Sequence, residues 1–408
     1  MKIVIANYAW NHLGGATLVC AYAAKVFLDK GFDVIAVSLT NFNKNEYLEE
    51  YGIDLKNIKI YSLISRDPSA LGLYYRLVYW IPLKKAIKKE KPQALFTDVE
   101  LYKPVLKLKK KINFKILEYI HFPYAVEKDK LHELPKEYIK ALNEYLGELK
   151  NQYKKYEKRP WKYYYKLWLK LYKKVARENP FYYADIVMSN SRYTAKLSKI
   201  LWSKEPTVLN PPVKTKDFTK YSAKSIDQRE NAVVMISRIS PEKRIEEAID
   251  AIALTKTKPL LRVIGRISPY NIKYKKYLER KAKEKNIKIE FHCNVPREKL
   301  AELIAKSKIF IHTTRGEHFG IAVVEAMAAG LPVIVHKSGG PYEDIIDYGK
   351  YGMFYENLVD LSQKIDELLK NSKLWTEYHK KSIERAKIFD EKNFSEKLIR
   401  ITEKILSN

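Results

Sequence analysis

Cysteine is almost absent from this sequence. Only Cys20 and Cys293 occur among 408 residues, far apart and each inside an apolar run. Two such residues cannot build a disulfide framework, and neither has the neighbours of a metal-binding cysteine motif. We therefore expect two small core side chains in a reducing compartment.

Long hydrophobic runs are also missing. No uninterrupted apolar stretch reaches the roughly 18 to 20 residues that a membrane-spanning helix needs. The first strand-like run, IVIANY, follows Met1-Lys2 directly and is too short for a signal peptide. The sequence therefore predicts a protein that is soluble or peripheral on a membrane.

Metal-binding patterns are lacking as well. There is no D-x-D triplet, and no group of Asp, His and Cys has metal-ligand spacing. We therefore expect no cofactor, and we expect cationic side chains and helix amides to stabilise any leaving group instead.

Negative charge is scarce relative to positive charge. The 76 Lys and Arg residues outnumber the 48 Asp and Glu residues, which gives a formal net charge of +28. Such a charge predicts a polyanionic neighbour, namely nucleic acid, an anionic membrane surface or a phosphorylated substrate.

What the chain does have is a regular alternation of strand-like and helical runs. Near-continuous apolar strands, such as 33–39 and 94–99, are typical of a parallel sheet covered on both faces. A second series of the same kind begins at Ala232. The fold class predicted is therefore α/β, with two doubly wound Rossmann-like domains that bind ligands at the carboxyl ends of their strands.

The most informative stretch is 309–346. A strand-like run is followed by a polar turn that contains Glu317, and a helix is predicted from Phe319 or Gly320 to Gly330. Glu325 then lies about one and a half turns into that helix. The unpaired amides of the helix N-terminus beside both carboxylates suit an anionic group.

The string around these glutamates, EHFGIAVVEAMAAG followed by HKSGGP, resembles the signature of glycosyltransferase family 4. That family is retaining and has the GT-B fold, in which two Rossmann-like domains face a central cleft. The string is most similar to the branch of α-1,2-mannosyltransferases that extend the lipid-linked oligosaccharide for asparagine glycosylation. A lone pair of glutamates at this spacing would more simply be two surface residues, and it is the whole string that favours the family.

The resemblance implies a division of the chain. We predict an acceptor-side domain at 1–212, a nucleotide-sugar domain at 213–390 and a final helix at 391–408 that crosses back onto the first domain. The boundary falls at the paired prolines that precede Val213, because paired prolines stop both a helix and a central strand.

The resemblance also implies roles for the 309–346 motif. Glu325 would hold the ribose hydroxyls of the donor, and Glu317 the hydroxyls of the transferred hexose. The donor diphosphate would meet the chain around the start of the helix, at His318, Phe319, Gly320 and Ile321.

Arg238 and Lys243 form a second candidate pair. Arg238 ends a strand-like run, and a helix predicted to begin at Ser240-Pro241 places Lys243 in its first turn. A cation in the first turn of a helix opposes the helix dipole. The position of Lys243 is easier to understand if an anion lies between Lys243 and Arg238. The resemblance places such a pair on the donor diphosphate, whereas the alternative is a solvated pair in a basic chain.

Further candidates lie at other predicted strand ends. Gly14 and Gly15 follow the first strand and would let a ligand approach the backbone, although such a pair can also be a plain turn. The YIHFP segment resembles the family segment whose histidine lies beside the transferred sugar, which makes His121 a candidate catalytic residue. Without that resemblance, His121 would be an ordinary loop histidine. Gly265 corresponds to the family glycine at the edge of the nucleotide base.

A basic, aromatic segment at 150–177 belongs to a helical insertion predicted at about 125–180. One helical stripe comprises Trp161, Tyr164, Trp168, Leu171 and Val175. Another face carries Lys162, Lys166, Lys170, Lys173 and Arg177. Such a helix suits an anionic lipid surface. It could instead pack on the domain with a solvated basic face, or stack on single-stranded nucleic acid.

The resemblance, together with these patterns, implies a metal-independent hexosyltransferase. It would move mannose or glucose from a GDP- or UDP-sugar to a polyprenyl-diphosphate-linked glycan, as a peripheral protein on the inner, cytoplasmic face of a membrane, with no nucleic acid as partner. The alternatives are a soluble transferase with a small acceptor, and a basic RNA-binding protein on the same fold.

Overall fold

The computed structural model describes residues 1–65, 72–124, 134–146 and 158–407. Within them the chain divides into two compact units. The first comprises residues 1–140, 150–212 and 392–408, and the second comprises residues 141–149 and 213–391. The insertion predicted at 125–180 lies partly outside the described residues, at 125–133 and 147–157.

A seven-stranded parallel sheet forms the centre of the first unit, in the order β3-β2-β1-β4-β6-β8-β9. Its strands are β1 (Lys2–Ala6), β2 (Asp33–Thr40), β3 (Lys59–Ile64), β4 (Ala94–Thr97), β6 (Lys115–Ile120), β8 (Ile186–Ser189) and β9 (Thr207–Val208). A separate antiparallel pair joins β5 (Leu101–Tyr102) and β7 (Ala176–Arg177).

The helices of residues 1–212 lie between these strands. They are α1 (Gly15–Asp29), α2 (Lys44–Tyr51), α3 (Gly72–Leu77), α4 (Trp80–Glu90), α5 (Lys103–Lys109), α6 (Lys136–Leu146), α7 (Trp161–Val175) and α8 (Arg192–Trp202). Alternate residues of β1 enter different cores, with Ile3 and Ile5 on one face of the sheet and Val4 and Ala6 on the other. Both faces are therefore covered, as the near-continuous apolar strands predict.

The second unit repeats this architecture. Its parallel strands, in the order β12-β11-β10-β13-β14-β15, are β10 (Ala232–Ile236), β11 (Leu260–Gly265), β12 (Ile289–Cys293), β13 (Ile309–His312), β14 (Val333–His336) and β15 (Met353–Tyr355). Its helices are α9 (Lys216–Thr219), α10 (Ile245–Leu254), α11 (Ile272–Glu284), α12 (Arg297–Lys306), α13 (Ile321–Ala328), α14 (Leu358–Lys370) and α15 (Ser372–Ala386).

The strand order sets where ligands can bind in each unit. In the first, β1 lies between β2 and β4, and in the second, β10 lies between β11 and β13. The chain connections leave these central strands in opposite directions, which opens a crevice at the carboxyl edge of the sheet. The candidate residues that follow β1, β6, β10 and β13 all lie at such an edge.

The last helix, α16 (Glu391–Ser407), belongs to the first unit although it follows the second in the chain. Phe394, Leu398 and Ile399 are buried in the same core cluster as Val19 and Phe27 of α1. These three apolar residues recur at helical spacing, so one face of α16 is buried.

Helix α7 differs from the prediction in how its residues are distributed. Trp168 and Tyr172 are buried in the core of the first unit, and the Trp168 indole donates to the Leu73 carbonyl at 2.9 Å. The predicted stripe is therefore divided: Trp168 faces the core with Tyr164 and Val175 half-buried, whereas Trp161 and Leu171 are exposed. The large apolar residues exposed on α7 are Trp161, Tyr163, Leu167 and Leu171.

Among the described helices, none is both long enough and apolar enough to cross a lipid bilayer.

Candidate functional site

The Glu317 turn follows β13 and is fixed by the loop after β14. The Gly316 amide donates to the Ser338 hydroxyl at 3.0 Å, and the Gly340 amide donates to the Glu317 carbonyl at 2.7 Å. Neighbouring loops at the carboxyl edge of the sheet therefore hold the backbone of Glu317 from one side.

Gly339 and Gly340 are required by this contact. A Cβ on Gly339 would lie 2.4 Å from the Glu317 carbonyl oxygen, and one on Gly340 would lie 2.3 Å from the His318 carbonyl oxygen. Real Cβ atoms do not approach backbone this closely, so any side chain at either position would push the Glu317 turn away. The Gly-Gly pair of the HKSGGP segment thus allows this loop to pack closely against the Glu317 turn.

The Glu317 carboxylate pairs with Lys243. The Lys243 Nζ lies 2.6 Å from Glu317 Oε2, and the two side chains are only 16% and 24% exposed. Burial alone would raise the pKa of the Glu317 carboxyl, but the Lys243 ammonium outweighs it and lowers that pKa well below its usual range. Glu317 is therefore an anion at neutral pH, beside a cation that comes from a different loop.

His312 was not foreseen as part of this group. It ends β13, is buried, and its Nε2 lies 3.8 Å from Glu317 Oε2 without a hydrogen bond to any described residue. Burial lowers the pKa of His312 to about 4, and the Lys243 charge lowers it further against the opposing effect of Glu317. His312 is therefore a neutral imidazole. Its position at the end of a predicted strand was the sequence signal by which His312 could have been identified.

The neutral state of His312 predicts a loss of stability in mild acid. The unfolded chain takes up a proton near pH 6.5, whereas the folded protein does so only near pH 4, so stability falls as the pH drops between these values. The shift corresponds to roughly 3 kcal/mol when complete. His312→Gln should therefore lose less of its melting temperature than wild type between pH 7 and pH 5.

The control for this comparison is His292→Gln, a partly exposed histidine on β12 of the same unit. We expect it to keep the acid sensitivity of wild type. An unchanged pH dependence of melting in His312→Gln would mean that His312 is not the group that titrates.

Glu325 lies on α13 and is also buried, but in a different ion pair. Its Oε1 accepts from Arg297 Nη1 at 3.0 Å, and Arg297 also pairs with Asp217 through its Nε at 2.5 Å. Burial raises the pKa of the Glu325 carboxyl, although Arg297 opposes that effect. Sequence analysis missed Arg297, because its contact with Glu325 joins residues that are 28 positions apart and lie on different helices.

Arg238 is much more accessible than Lys243. Its side chain is 69% exposed and pairs with Glu242 at 3.1 Å. The helix predicted to begin at Pro241 begins instead at Ile245. A short 3-10 turn at Pro241–Lys243 ends at Arg244 in the left-handed conformation (φ 51°), which interrupts the helical backbone. Lys243 therefore lies in this turn and not in the first turn of α10.

At the start of α13, a ligand would meet backbone groups more than side chains. Phe319 is buried in the core of the second unit, and Gly320 has φ 100°, a conformation that favours glycine. The helix therefore begins at Ile321, slightly later than predicted, and His318 remains partly exposed beside Glu317.

Gly265 ends β11 and has a structural reason to be glycine. A Cβ there would lie 1.7 Å from the Ser237 carbonyl oxygen. Gly14 is the opposite case: its backbone is extended, and a Cβ would have nothing within 4 Å. Gly14 caps α1, whose first residue is Gly15, and the open space in front of it is what a ligand-facing loop needs.

His121 lies at the end of β6, and the structure adds two partners to it. Its Nε2 lies 3.0 Å from Asp98 Oδ2, and Asn7 Nδ2 lies 2.9 and 2.8 Å from the two Asp98 oxygens. Asn7 and Asp98 directly follow β1 and β4, so three adjacent strands place these side chains together. Sequence analysis missed both, although a polar residue straight after a buried strand was a usable signal.

Three sets of residues result. The second unit brings Lys243, Glu317 and His312 together, and it pairs Glu325 with Arg297. Gly14, Gly15 and His121 all belong to the first unit. Nowhere in the described ranges do three or more His, Cys, Asp or Glu side chains form a group that could hold a metal ion.

Comparison with protein families identifies the second unit. Residues 217–388 match the family model described as glycosyl transferases group 1. This part of the chain is a group 1 glycosyl transferase domain. It contains Arg238, Lys243, Gly265, Glu317 and Glu325.

Curated relatives of the chain share one printed name, GDP-Man:Man(3)GlcNAc(2)-PP-Dol alpha-1,2-mannosyltransferase. The protein from Dictyostelium discoideum is 27% identical over 60% of this chain and 51% of its own length. That from Xenopus laevis is 32% identical over 40% of this chain and 36% of its own length. The chain thus spans about half or less of these relatives, and the resemblance predicted from the Glu317–Glu325 string is confirmed.

Solved structures extend the likeness to the whole fold. HepE from Anabaena, in complex with UDP and glucose, aligns over 99% of both chains with a TM-score of 0.67 at 16% identity. WaaG, a glycosyltransferase involved in lipopolysaccharide biosynthesis, aligns over 98% of this chain and 99% of its own with a TM-score of 0.65 at 15% identity. The predicted GT-B fold class, which joins the group 1 domain to a second Rossmann-like unit, is confirmed.

Proposed function

We propose that this protein is a retaining hexosyltransferase that moves mannose from GDP-mannose to a polyprenyl-diphosphate-linked glycan. The observation that carries the proposal is the buried Lys243–Glu317 pair at the carboxyl edge of the group 1 domain. The donor and acceptor follow the printed names of the curated relatives. The retaining outcome follows the family resemblance.

Lys243 and Glu317 carry complementary roles in this proposal. The Lys243 ammonium, with Arg238, neutralises the diphosphate, on which negative charge grows as the bond to the hexose breaks. The Glu317 carboxylate, held as an anion by Lys243, accepts hydrogen bonds from hydroxyls of the hexose. Because both side chains are largely shielded from water, these interactions are stronger than they would be at an open surface.

Glu325 holds the ribose hydroxyls in this proposal. One of its oxygens accepts from Arg297 at 3.0 Å, which fixes the orientation of the carboxylate before any ligand arrives. A preset acceptor loses less conformational entropy on binding than a mobile one. Asp217 holds the other side of Arg297 and so supports the same geometry.

The acceptor side of the proposal concerns the membrane. A glycan linked to a polyprenyl chain stays in the bilayer, so the enzyme must come to the inner, cytoplasmic membrane surface. Helix α7 exposes Leu167 and Leu171 with Lys162, Lys166 and Lys170 on the same solvent-facing side. Aliphatic residues flanked by lysines suit the interface of an anionic membrane.

A panel of GDP-, UDP- and ADP-sugars in a thermal-shift assay tests the donor. A ligand at about 100 times its dissociation constant stabilises the folded state by roughly 2.7 kcal/mol. We expect GDP-mannose to raise the melting temperature most, because the proposed donor should bind most tightly. The panel is run in EDTA and again with magnesium, since no metal cofactor is proposed.

Equal shifts with all three nucleotides would contradict the choice of GDP-mannose. A shift that requires magnesium would contradict the metal-independent mechanism. Transfer itself is then measured with a short lipid-linked acceptor, and transfer to free sugars only would favour a soluble transferase with a small acceptor.

A further inference from the structure

A buried polar network occupies the carboxyl edge of the first unit, at the ends of β1, β4 and β6. Its centre is Asp98, whose side chain is only 1% exposed. Asn7 donates to both carboxylate oxygens, and His121 Nε2 lies 3.0 Å from Oδ2. Among the described residues no Lys or Arg pairs with Asp98, and a buried carboxylate without such a partner is costly, so its presence here needs a reason beyond packing.

The geometry of the contact favours a proton on Nε2 of His121, because both Asp98 oxygens accept from Asn7 Nδ2, as the oxygens of a carboxylate do. A carboxylate can only accept hydrogen bonds, so in this arrangement His121 Nε2 is the donor. In the neutral imidazole, Nδ1 is then the acceptor. The His121 side chain is 24% exposed, in contrast to Asp98, so part of the ring is accessible to a ligand.

The backbone of His121 is held as firmly as its ring. Its carbonyl oxygen accepts from Asn190 Nδ2 at 3.0 Å, and the Asn190 carbonyl accepts from Asn210 Nδ2 at 3.0 Å. With the backbone fixed on one side and Nε2 fixed on the other, the ring has little freedom to rotate. This is the arrangement expected when a hydrogen-bonding atom must be aimed at a ligand.

The nearby thiol of Cys20 does not act as a second anion beside Asn7. Cys20 Sγ lies 3.9 Å from Asn7 Nδ2. Burial, and then the charge of Asp98, raises the pKa of the Cys20 thiol well above its usual range. Cys20 therefore stays a neutral thiol.

We propose that Asp98 is a positioning residue that holds His121 as the Nε2–H tautomer, so that Nδ1 accepts a hydrogen bond from a hydroxyl of a bound sugar. Asn7 keeps the Asp98 carboxylate in place for this purpose. The identity of the ligand as a sugar rests on the proposed function, whereas the tautomer does not.

The tautomer is measured directly by long-range ¹H–¹⁵N NMR on protein labelled with [¹⁵N]histidine. Comparison with His121→Gln assigns the His121 signals among the eight histidines. We expect the Nε2–H tautomer in wild type and a shift toward the Nδ1–H tautomer in Asp98→Asn, whose amide can donate to Nε2. An Nδ1–H tautomer in wild type, or an unchanged signal in Asp98→Asn, would overturn the proposal.

Kinetics supply a second readout. With donor and acceptor saturating, Asp98→Asn should lower kcat about tenfold, the effect of one misdirected hydrogen bond, with little change in KM for the nucleotide sugar. The matched control is Asp185→Asn, because Asp185 pairs with Lys109 at 2.6 Å but precedes β8, at the opposite edge of the sheet. It should keep the wild-type kcat, and an equal loss in both variants would reduce Asp98 to a structural residue.

The two proposals fail in different ways. If no sugar is transferred but His121 is the Nε2–H tautomer under the control of Asp98, the proposed function is wrong and the positioning role stands. If transfer occurs and the tautomer does not depend on Asp98, the positioning role is wrong. Should Asp98→Asn fail to fold, the tautomer in wild type decides alone.

Discussion

Lys243→Ala should lower kcat/KM for the nucleotide sugar tens- to hundredfold. The loss corresponds to on the order of 2 to 3 kcal/mol of charge-assisted binding to the diphosphate. Arg238→Ala should lower the same constant, but less than Lys243→Ala does. The Arg238 side chain is 69% exposed and the Lys243 side chain only 16%, and solvent weakens an ionic contact. Initial rates at varied donor concentration measure both effects.

The matched control is Lys381→Ala. Lys381 pairs with Glu377 on α15, and its Nζ–Oε1 distance of 2.6 Å equals the Lys243–Glu317 distance. Loss of that pair should leave donor use unchanged. Wild-type donor affinity and turnover in both Lys243→Ala and Arg238→Ala would show that neither residue holds the diphosphate.

A double variant separates donor binding from simple neutralisation of Glu317. Lys243→Ala leaves the Glu317 carboxylate without its cation, and this alone could disturb the site. Glu317→Gln removes that stranded charge. If Lys243 binds the diphosphate, the double variant should be no better in donor affinity than Lys243→Ala. Recovery of donor affinity in the double variant would mean that Lys243 serves only to balance Glu317.

Reversing Lys162, Lys166 and Lys170 to Glu should abolish binding to anionic vesicles at moderate ionic strength. Each basic residue near such a surface contributes about 1 kcal/mol, and salt screens the attraction. Donor binding and transfer to a short, water-soluble acceptor should be nearly unchanged, because the residues proposed to hold the donor lie in the group 1 domain. Vesicle sedimentation at several salt concentrations measures the first effect, and the thermal-shift and transfer assays measure the others.

The control for total charge is the same reversal at Lys370, Lys373 and Lys380. These exposed lysines lie on α14 and α15 of the second unit, and each triple reversal lowers the formal charge from +28 to +22. The control protein should still bind vesicles. If both triple variants lose binding equally, the attraction is a property of net charge and α7 is not the anchor.

The apolar part of the α7 surface is tested separately. Leu167→Ser with Leu171→Ser keeps every charge and removes two exposed aliphatic side chains. This variant should bind vesicles weakly even at low salt, where electrostatic attraction is strongest. Binding to single-stranded RNA in the absence of any vesicle binding would instead support the nucleic-acid alternative.

The sequence by itself determined the fold class and the resemblance to a glycosyltransferase family. Apolar runs that alternate with helical patterns leave few architectures open, since a strand that is buried on both faces requires a parallel sheet between two layers of helices. The Glu317–Glu325 string then identified the family. Local signals of this kind can be read from the sequence because they depend on residues that are neighbours in the chain.

Local reading was less accurate for helix starts and faces. The helix after Ser240 begins at Ile245 because Arg244 takes up a left-handed conformation. The aromatic stripe predicted on α7 is divided in the fold, because Trp168 packs in the core whereas Trp161 and Leu171 are exposed. In both cases packing and backbone geometry overrode a periodicity that fits more than one arrangement.

Only the tertiary structure decided which distant residues act as partners. Lys243 meets Glu317, Arg297 meets Glu325, and Asp98 meets His121, across sequence separations of 74, 28 and 23 residues. No periodicity encodes such pairs, because they depend on the order of strands in each sheet and on the loops that connect them. The sequence named Glu317 and His121 as candidate residues, and the fold supplied Lys243 as the partner of Glu317 and Asp98 as the partner of His121.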